Sequence, residues 1–376
     1  MMAPPTASLA YEDAIVPPRI STVVLTGAGF SVDAGLPVTN DLIRRGRQRL
    51  KPERRAEFEE ALDACTVDLL GKPVWKDEAI EAVLTRLTAL KMDSSDFLSS
   101  PGDPPKEYDY LKQIFPVEHG IYFLIWLALL PSSNSPSLDR YDAFLAHLGN
   151  DVAFATLNYD LLLETIFRRN QRVWHYPLQG ATKCHNELRY DNRFYASLED
   201  DPDSIPYLKL HGSFNWHYCW RCDYIRVVRD EWFGISGFHL PRPGHTPLWV
   251  TSRGTLACDE DNCVINSGPG VGQATLNPHI IPPTRIKDYS RTPISWQWAC
   301  FDTLVRQAEQ LIIVGTSLRN EDIPLFMTLQ YLRRKNSQLK RLIVIDPEPK
   351  SASKAEMWTE VNPTWYSSLG AYLANK

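Results

Sequence analysis

"STVVLTGAGFSVDAGLP", residues 21–37, opens as a β-branched apolar run and breaks at glycine. A short apolar run bounded by glycines reads as a buried strand entering a tight turn. Four further runs share this form: "DVAFATLNYD" (151–160), "IPYLKLHG" (205–212), "QLIIVGTSL" (310–318) and "KRLIVIDPE" (340–348). Helix-period segments separate several of them, namely "YDLLLETIFRR" (159–169), "WQWACFDTLVRQAEQ" (296–310) and "EDIPLFMTLQYLRR" (321–334). Near-continuous apolar strands alternating with helices imply a parallel sheet covered on both faces.

Three stretches depart from that rhythm. Residues 1–20 are a Pro-rich lead-in, expected to be flexible. Residues 51–140 carry helix-like pieces such as "DEAIEAVLTRLTAL" (77–90) and no convincing strand, which reads as a helical insertion. Residues 213–275 hold four cysteines and many aromatics and glycines, with little regular period, and read as a small separate module. The expected fold class is α/β: a Rossmann-like parallel sheet built from 21–50, 141–212 and 276–376, with a helical insertion and a small cysteine-rich module. No internal repeat or low-complexity tract is visible.

Composition narrows the function classes. The chain has 376 residues, 44% hydrophobic and 23% charged, an ordinary globular balance. Its net charge of −5 supplies no global basic field for nucleic acid. The local exception, "RRGRQRLKPERR" (44–55), reads as a solvated helix face, with a phosphate or nucleic-acid contact as the minority alternative. The longest apolar run, "GIYFLIWLALL" (120–130), is far short of the ~20 residues a bilayer takes and reads as a buried helix. The first twenty residues lack an apolar signal-peptide core and carry Glu12 and Asp13, so a cytoplasmic protein is expected. The odd count of seven cysteines fits a reducing compartment, where clustered cysteines mean metal or catalysis more often than disulfides.

In an open parallel sheet, ligands sit outside the carboxyl ends of the strands. All five apolar runs place their informative residues there. Gly27-Ala28-Gly29-Phe30-Ser31 is a turn in which glycines let the backbone approach a phosphate at a helix start. The hydride-transfer fingerprint G-x-G-x-x-G fails, because Val32 occupies its third glycine position and Arg49 stands where an acid would hold ribose.

The longer string "GAGFSVDAGLP" (27–37) resembles the opening motif of the sirtuins. Three more motifs follow in family order: "TLNYD" (156–160), "LHG" (210–212) and "VGTSL" (314–318). "VIDPE" (344–348) is similar to the later strand end near the adenosine. The resemblance threads residues 20–348 but leaves out the helical insertion and the C-terminal tail. It implies a NAD-binding domain and cleavage of the bond between nicotinamide and ribose, through an oxocarbenium-like transition state. By resemblance, Asn158 positions ribose hydroxyls and water, Asp160 contacts the nicotinamide amide, and His211 accepts a proton. Gly27, Ala28, Gly29, Ser31, Pro37, Gly315, Thr316, Ser317 and Asp346 would hold the rest of NAD. A histidine suits the base role because its pKa lies near working pH. The bland alternatives stand beside these. Asn158 and Asp160 could cap the helix that follows. His211 could be a core histidine. Thr316 and Ser317 could merely start a helix, and Asp346 could merely end a strand at Pro347.

Cys219-x2-Cys222 and Cys258-x4-Cys263 can supply four thiolates to a tetrahedral zinc, with His217, His239 and His245 as possible substitutes. The sirtuins carry their structural zinc at this place in the chain. The alternative is a set of reduced, buried cysteines. Cys65, Cys184 and Cys300 are isolated and read as core or surface thiols.

Two departures separate this chain from the deacylating sirtuins. After "GLP" those carry Asp-Phe-Arg, whereas here the chain runs Val38-Thr39-Asn40-Asp41, so the family arginine is missing; Arg44 or Arg45 could reach in its place. Where deacylases pair a strand with the acylated peptide, this chain has "NPHIIPPTRIK" (277–287), whose Pro282 and Pro283 offer no N–H. Both departures, together with "GTSLRNED" (315–322) and its Asp322, resemble the sirtuin-like proteins of bacterial anti-phage defence. The resemblance thus implies a NAD+ glycohydrolase that releases nicotinamide and ADP-ribose. The alternatives are a NAD-dependent protein deacylase and a catalytically silent NAD or ADP-ribose sensor. A homo-oligomer is expected, and defence members of this compact size resemble those paired with a HerA-type ATPase. No sensor domain or ATPase motif is visible.

Overall fold

The computed structural model describes residues 20–73, 80–95, 106–130, 137–177, 204–218, 225–227, 235–238, 249–251, 254–255, 264–265, 272–273, 277–285, 287, 289, 292–330 and 332–375. A seven-stranded sheet organises them. In chain order its strands are β1 (Thr22–Thr26), β2 (Val152–Thr156), β3 (Trp174–His175), β4 (Ile205–Lys209), β13 (Gln310–Val314), β14 (Arg341–Ile345) and β15 (Pro363–Tyr366), and the eight strands numbered between β4 and β13, described below, pair antiparallel outside this sheet. The spatial order is β15-β14-β13-β1-β2-β4-β3, and every pairing is parallel. All five strands expected from the apolar runs are present. The chain leaves β1 in one direction across the sheet and later returns to the other side of β1. The switch point therefore lies between β1 and β13, where an open α/β sheet leaves a crevice.

β1, β2, β4 and β13 are buried along their whole length, which is why they read as unbroken apolar runs. β3 and β15 are additions to the sequence expectation. β3 has only two residues, and β15 begins at Pro363 on the sheet edge, the one place where proline leaves the ladder intact. The segment 321–334 is two helices rather than one. α8 (Ile323–Leu329) ends before Gln330, and α9 (Leu332–Lys335) follows.

The first helices form a unit with a core of its own: α1 (Leu42–Arg49), α2 (Pro52–Leu70), α3 (Ile80–Ser95) and α4 (Lys106–Leu129). Leu62, Leu84, Leu87 and Ile121 lie inside it, joined by Tyr159, Phe214 and Ile280 from the sheet side. The other helices pack on the sheet: α5 (Asp139–Leu148), α6 (Leu162–Arg169), α7 (Thr292–Gln307), α10 (Pro349–Thr359) and α11 (Leu369–Ala374). The basic run 44–55 is largely consumed within the helical unit. Arg47 pairs with Glu59 at 2.8 Å, Arg49 donates to the Leu127 and Leu130 carbonyls at the end of α4, and Arg55 donates to the Gln48 and Leu50 carbonyls. Among the described residues, no helix is long and apolar enough to cross a membrane.

The expected irregular module opens instead as a regular, fully buried strand, β5 (Gly212–Tyr218). Its signal was a period of two, with Phe214, Trp216 and Tyr218 alternating with Ser213, Asn215 and His217. Both faces are covered, since Ser213, Asn215 and His217 are buried as fully as Phe214, Trp216 and Tyr218, so the alternation carries no polar, solvent-facing side. β5 pairs antiparallel with β6 (Ile225–Val227) and β12 (Asn277–Ile280). The short strands β7 (Ile235–Phe238), β8 (Trp249–Thr251) and β9 (Gly254–Thr255) form one ladder, and β10 (Val264–Ile265) with β11 (Gly272–Gln273) another. Cys219, Cys222, Cys258 and Cys263, the expected zinc ligands, lie outside the described residues, as do His239, His245 and Cys184. Cys65 and Cys300 are buried core thiols, each pushed up to about 12 chiefly by burial.

Candidate functional site

A cleft of about 280 Å³ lies over the carboxyl ends of the sheet strands at the switch point. The loop after β1 contributes Gly27, Ala28, Gly29 and Pro37; the loop after β2 contributes Asn158 and Asp160; His211 follows β4. Gly315, Thr316 and Ser317 come from the end of β13, and Asp346 from the end of β14. Leu42, Glu81 and Leu129 of the helical unit also line it. Of the expected NAD-site residues, all but Ser31 stand on this wall. Ser31 is buried behind it, with its hydroxyl donating to Asp160 Oδ2 at 2.8 Å.

Two loops meet closely at the floor. Gly29 N–H donates to the Gly315 carbonyl at 2.8 Å, and Gly315 has φ +61°. A Cβ on Gly315 would stand 2.1 Å from the Phe30 nitrogen, so only glycine fits. The glycine-rich turn is therefore needed first for loop-on-loop packing; its remaining exposed edge faces the cleft.

The pentapeptide "TLNYD" divides its two polar residues between two jobs. Asn158 Nδ2 donates to the Gly27 carbonyl at 2.9 Å and to Ser31 Oγ at 3.2 Å. It therefore ties the β2 loop to the β1 loop and does not cap α6. Asp160 Oδ1 accepts the Leu162 N–H, the first of α6, at 3.0 Å, from one residue ahead of the N-cap Leu161. The Asn158 amide thus turns to the β1 loop, whereas Asp160 both receives a helix N–H and lines the cleft. Burial pushes the Asp160 carboxyl up, against the pull of Lys209, the Leu162 N–H and Ser31.

Beneath Asp160 sits a buried cation. Lys209, fully inaccessible, donates to the Asp160 carbonyl at 2.6 Å and to Glu164 Oε1 at 3.0 Å. Tyr176 and Tyr207 donate to the two Glu164 oxygens at 2.8 and 3.3 Å. The pair is thereby satisfied on both sides, the condition under which a buried salt bridge is tolerated.

His211 is 5% exposed and lines the cleft. The next residue, Gly212, has φ +74°, and its absent Cβ leaves room for the His279 carbonyl, 2.1 Å from where it would be. The His211 carbonyl accepts Ile281 N–H at 2.8 Å, fixing the backbone against the segment after β12. That segment, with Pro282 and Pro283, is thus already engaged with β5, and Pro283 lines the cleft.

The surroundings of His211 include residues that the motifs did not assign. Asp322 Oδ1 lies 3.1 Å from His211 Nε2. The same oxygen receives Lys287 Nζ and the Tyr289 hydroxyl, the latter at 3.2 Å. The His211–Asp322 contact is close but not in line, because Nε2 has no straight hydrogen-bond partner, and it becomes an ion pair only when the ring is protonated. Burial lowers the His211 pKa, Lys287 lowers it further, and Asp322 and the Leu157 carbonyl oppose them. Burial works against the Asp322 charge too, but His211 and Lys287 outweigh it and hold the carboxyl below the usual carboxylate range. Asp346 accepts the Glu348 N–H at 2.9 Å, and burial raises its pKa.

Arg44 and Arg45 do not line the cleft. Arg44 pairs with Asp41 at 2.6 Å and Arg45 donates to the Gly35 carbonyl at 3.1 Å. The arginine on the wall is Arg319. Among the described residues no group of His, Cys, Asp and Glu is arranged to hold a metal ion.

A family model described as "SIR2-like domain" matches residues 152–239, the stretch that carries Asn158, Asp160 and His211. No curated protein matches the chain. Among solved structures, a Sir2 homologue in complex with NAD is 15% identical, with a TM-score of 0.41 over 94% of this chain and 86% of that one. A Sir2 with a p53 peptide and NAD+ is 14% identical, with a TM-score of 0.41 over 95% and 92%. Sir2Tm bound to a propionylated peptide is 13% identical, with a TM-score of 0.39 over 95% and 92%.

Proposed function

We propose that this chain is a sirtuin-like NAD+ glycohydrolase, releasing nicotinamide and ADP-ribose with water as the acceptor. The observation that carries the reading is the convergence of Asn158, Asp160 and His211 on one cleft at the sheet's switch point, opposite the Gly27–Gly29 and Gly315–Ser317 loops. The SIR2-like match over 152–239 supports it.

The bond between the nicotinamide nitrogen and the ribose C1′ breaks, and its electron pair neutralises the pyridinium. Water adds to C1′, and the proton it loses goes to His211. His211 is suited to receive it. Burial and Lys287 keep it neutral at rest, Nε2 lacks an in-line partner, and Asp322 stands close enough to stabilise the imidazolium that forms. Asn158, held by Gly27 and Ser31, offers its amide oxygen to the ribose or the water. Asp160, braced by Lys209 and α6, would meet the nicotinamide amide. Asp346 and the Gly315–Ser317 loop would take the adenosine side and the phosphates.

Hydrolysis is favoured over deacylation because Pro282 and Pro283, just after β12, offer no N–H with which an acylated peptide could pair as an added strand. Around this chemistry we place a structural zinc on Cys219, Cys222, Cys258 and Cys263, a cytoplasmic homo-oligomer, and a role in anti-phage defence by NAD depletion with a HerA-type ATPase partner.

The test is incubation of the purified chain with NAD+ and no peptide, following nicotinamide release. Turnover that His211→Ala and Asn158→Ala both abolish, with fold retained, is the expected result. Release only on addition of an acylated peptide would establish the deacylase instead. NAD+ binding without turnover in any assembly state would establish the sensor.

A further inference from the structure

The cleft wall is short of positive charge for a dinucleotide. Five carboxylates face it, Glu81, Asp160, Glu321, Asp322 and Asp346, against the cations Lys287 and Arg319. Lys287 is committed to the buried Asp322, where it sets the charge around His211. Arg319 is placed differently. It follows the Gly315–Ser317 turn at the end of β13, is about a third exposed, and its Nη1 lies 3.1 Å from Glu81 Oε2. Glu81 belongs to α3, in the helical unit across the cleft. A guanidinium carries five N–H donors in a planar fork suited to phosphate oxygens, and a single contact to Glu81 leaves most of them free.

We infer that Arg319 receives the anionic diphosphate of the bound dinucleotide, and that Glu81 holds its guanidinium in the unliganded protein and is exchanged for phosphate on binding. This rests on the cleft being a NAD site, and it supplies the arginine that the stretch after Pro37 lacks. The exchange is electrostatically reasonable. A partly exposed carboxylate–guanidinium pair contributes little, whereas a charge-assisted, bidentate contact to phosphate is among the stronger polar interactions. Because Glu81 and Arg319 sit on opposite units, ligand occupancy also releases one of the contacts between α3 and the sheet.

Calorimetric titration of the full chain with NAD+, ADP-ribose and adenosine tests the inference, with circular dichroism and Tm recorded for each variant. Arg319→Ala is expected to weaken NAD+ and ADP-ribose binding roughly tenfold or more, the loss of one charge-assisted contact, and to leave adenosine unaffected. Arg319→Lys, which keeps the charge but not the fork, should fall between. Glu81→Gln should tighten both diphosphate ligands by about two- to fivefold, the scale of an exposed ion pair no longer competing. Unchanged affinity in Arg319→Ala, or weaker binding in Glu81→Gln, would overturn the inference while leaving the NAD reading intact. Wild-type protein that binds neither NAD+ nor ADP-ribose would overturn both.

Discussion

Substituting Asp322 by Asn removes a charge from His211 while keeping shape and the neighbouring contacts of Lys287 and Tyr289. The carboxylate oxygen stands 3.1 Å from Nε2. At that distance the attraction to an imidazolium is about 5 kcal/mol at an effective dielectric of 20. Lys287 shares the same oxygen and offsets part of it. Taking half, ~2.5 kcal/mol of imidazolium stabilisation disappears from the step in which His211 takes the proton, a fall of roughly fifty- to a hundredfold in kcat. KM should move little, since Asp322 acts through His211.

The pH profile gives this prediction a direction that a general loss of stability would not reproduce. Asp322 favours the protonated ring, so Asp322→Asn lowers the His211 pKa further and shifts the acid limb of kcat/KM to lower pH. Lys287 disfavours the protonated ring, so Lys287→Met raises the pKa and shifts the same limb to higher pH. Steady-state nicotinamide release measured from pH 5 to 9 for wild type and both variants, with Tm as the folding control, makes the comparison. A kcat for Asp322→Asn within about threefold of wild type, or limbs that shift in the same direction, would refute the assignment of Asp322 as the charge partner of the base.

Three further outcomes follow from the same geometry. Gly315→Ala places a Cβ 2.1 Å from the Phe30 nitrogen at φ +61°, so unfolding stability should fall by at least ~2 kcal/mol and nucleotide binding with it; a neutral effect in denaturant titration would contradict the loop-packing argument. Lys209→Met strands the buried Glu164 without its cation, at a cost of about 3 kcal/mol in unfolding stability; a loss below ~1 kcal/mol in denaturant titration would contradict the pairing. Protein purified without chelator should carry close to one zinc per chain, and less than about 0.2 would remove the four-cysteine site.

What could be read from the chain depended on how locally each feature is encoded. β1, β2, β4, β13 and β14 were legible because parallel strands buried on both faces are continuous apolar runs, and the cleft residues were legible because each stands at the end of one. β5 escaped because its alternating aromatics were read as composition, and β15 because proline argues against a strand until the strand is known to be at an edge. "TLNYD" marks the finer limit. Asn and Asp two residues apart before an amphipathic helix look alike as caps, yet Asp160 receives the helix N–H and Asn158 reaches instead to Gly27, across to another strand. Only the strand order decides between them. The charges that tune His211 lie further beyond local reach. Lys287 follows β12 and Asp322 precedes α8, and their meeting on one oxygen depends on the packing of those two segments over the end of β4. Arg319 and Glu81 are more distant still, one on the sheet and one in the helical unit. A strand end can therefore announce a base in sequence, but the strength of that base is set by partners that only the fold assembles.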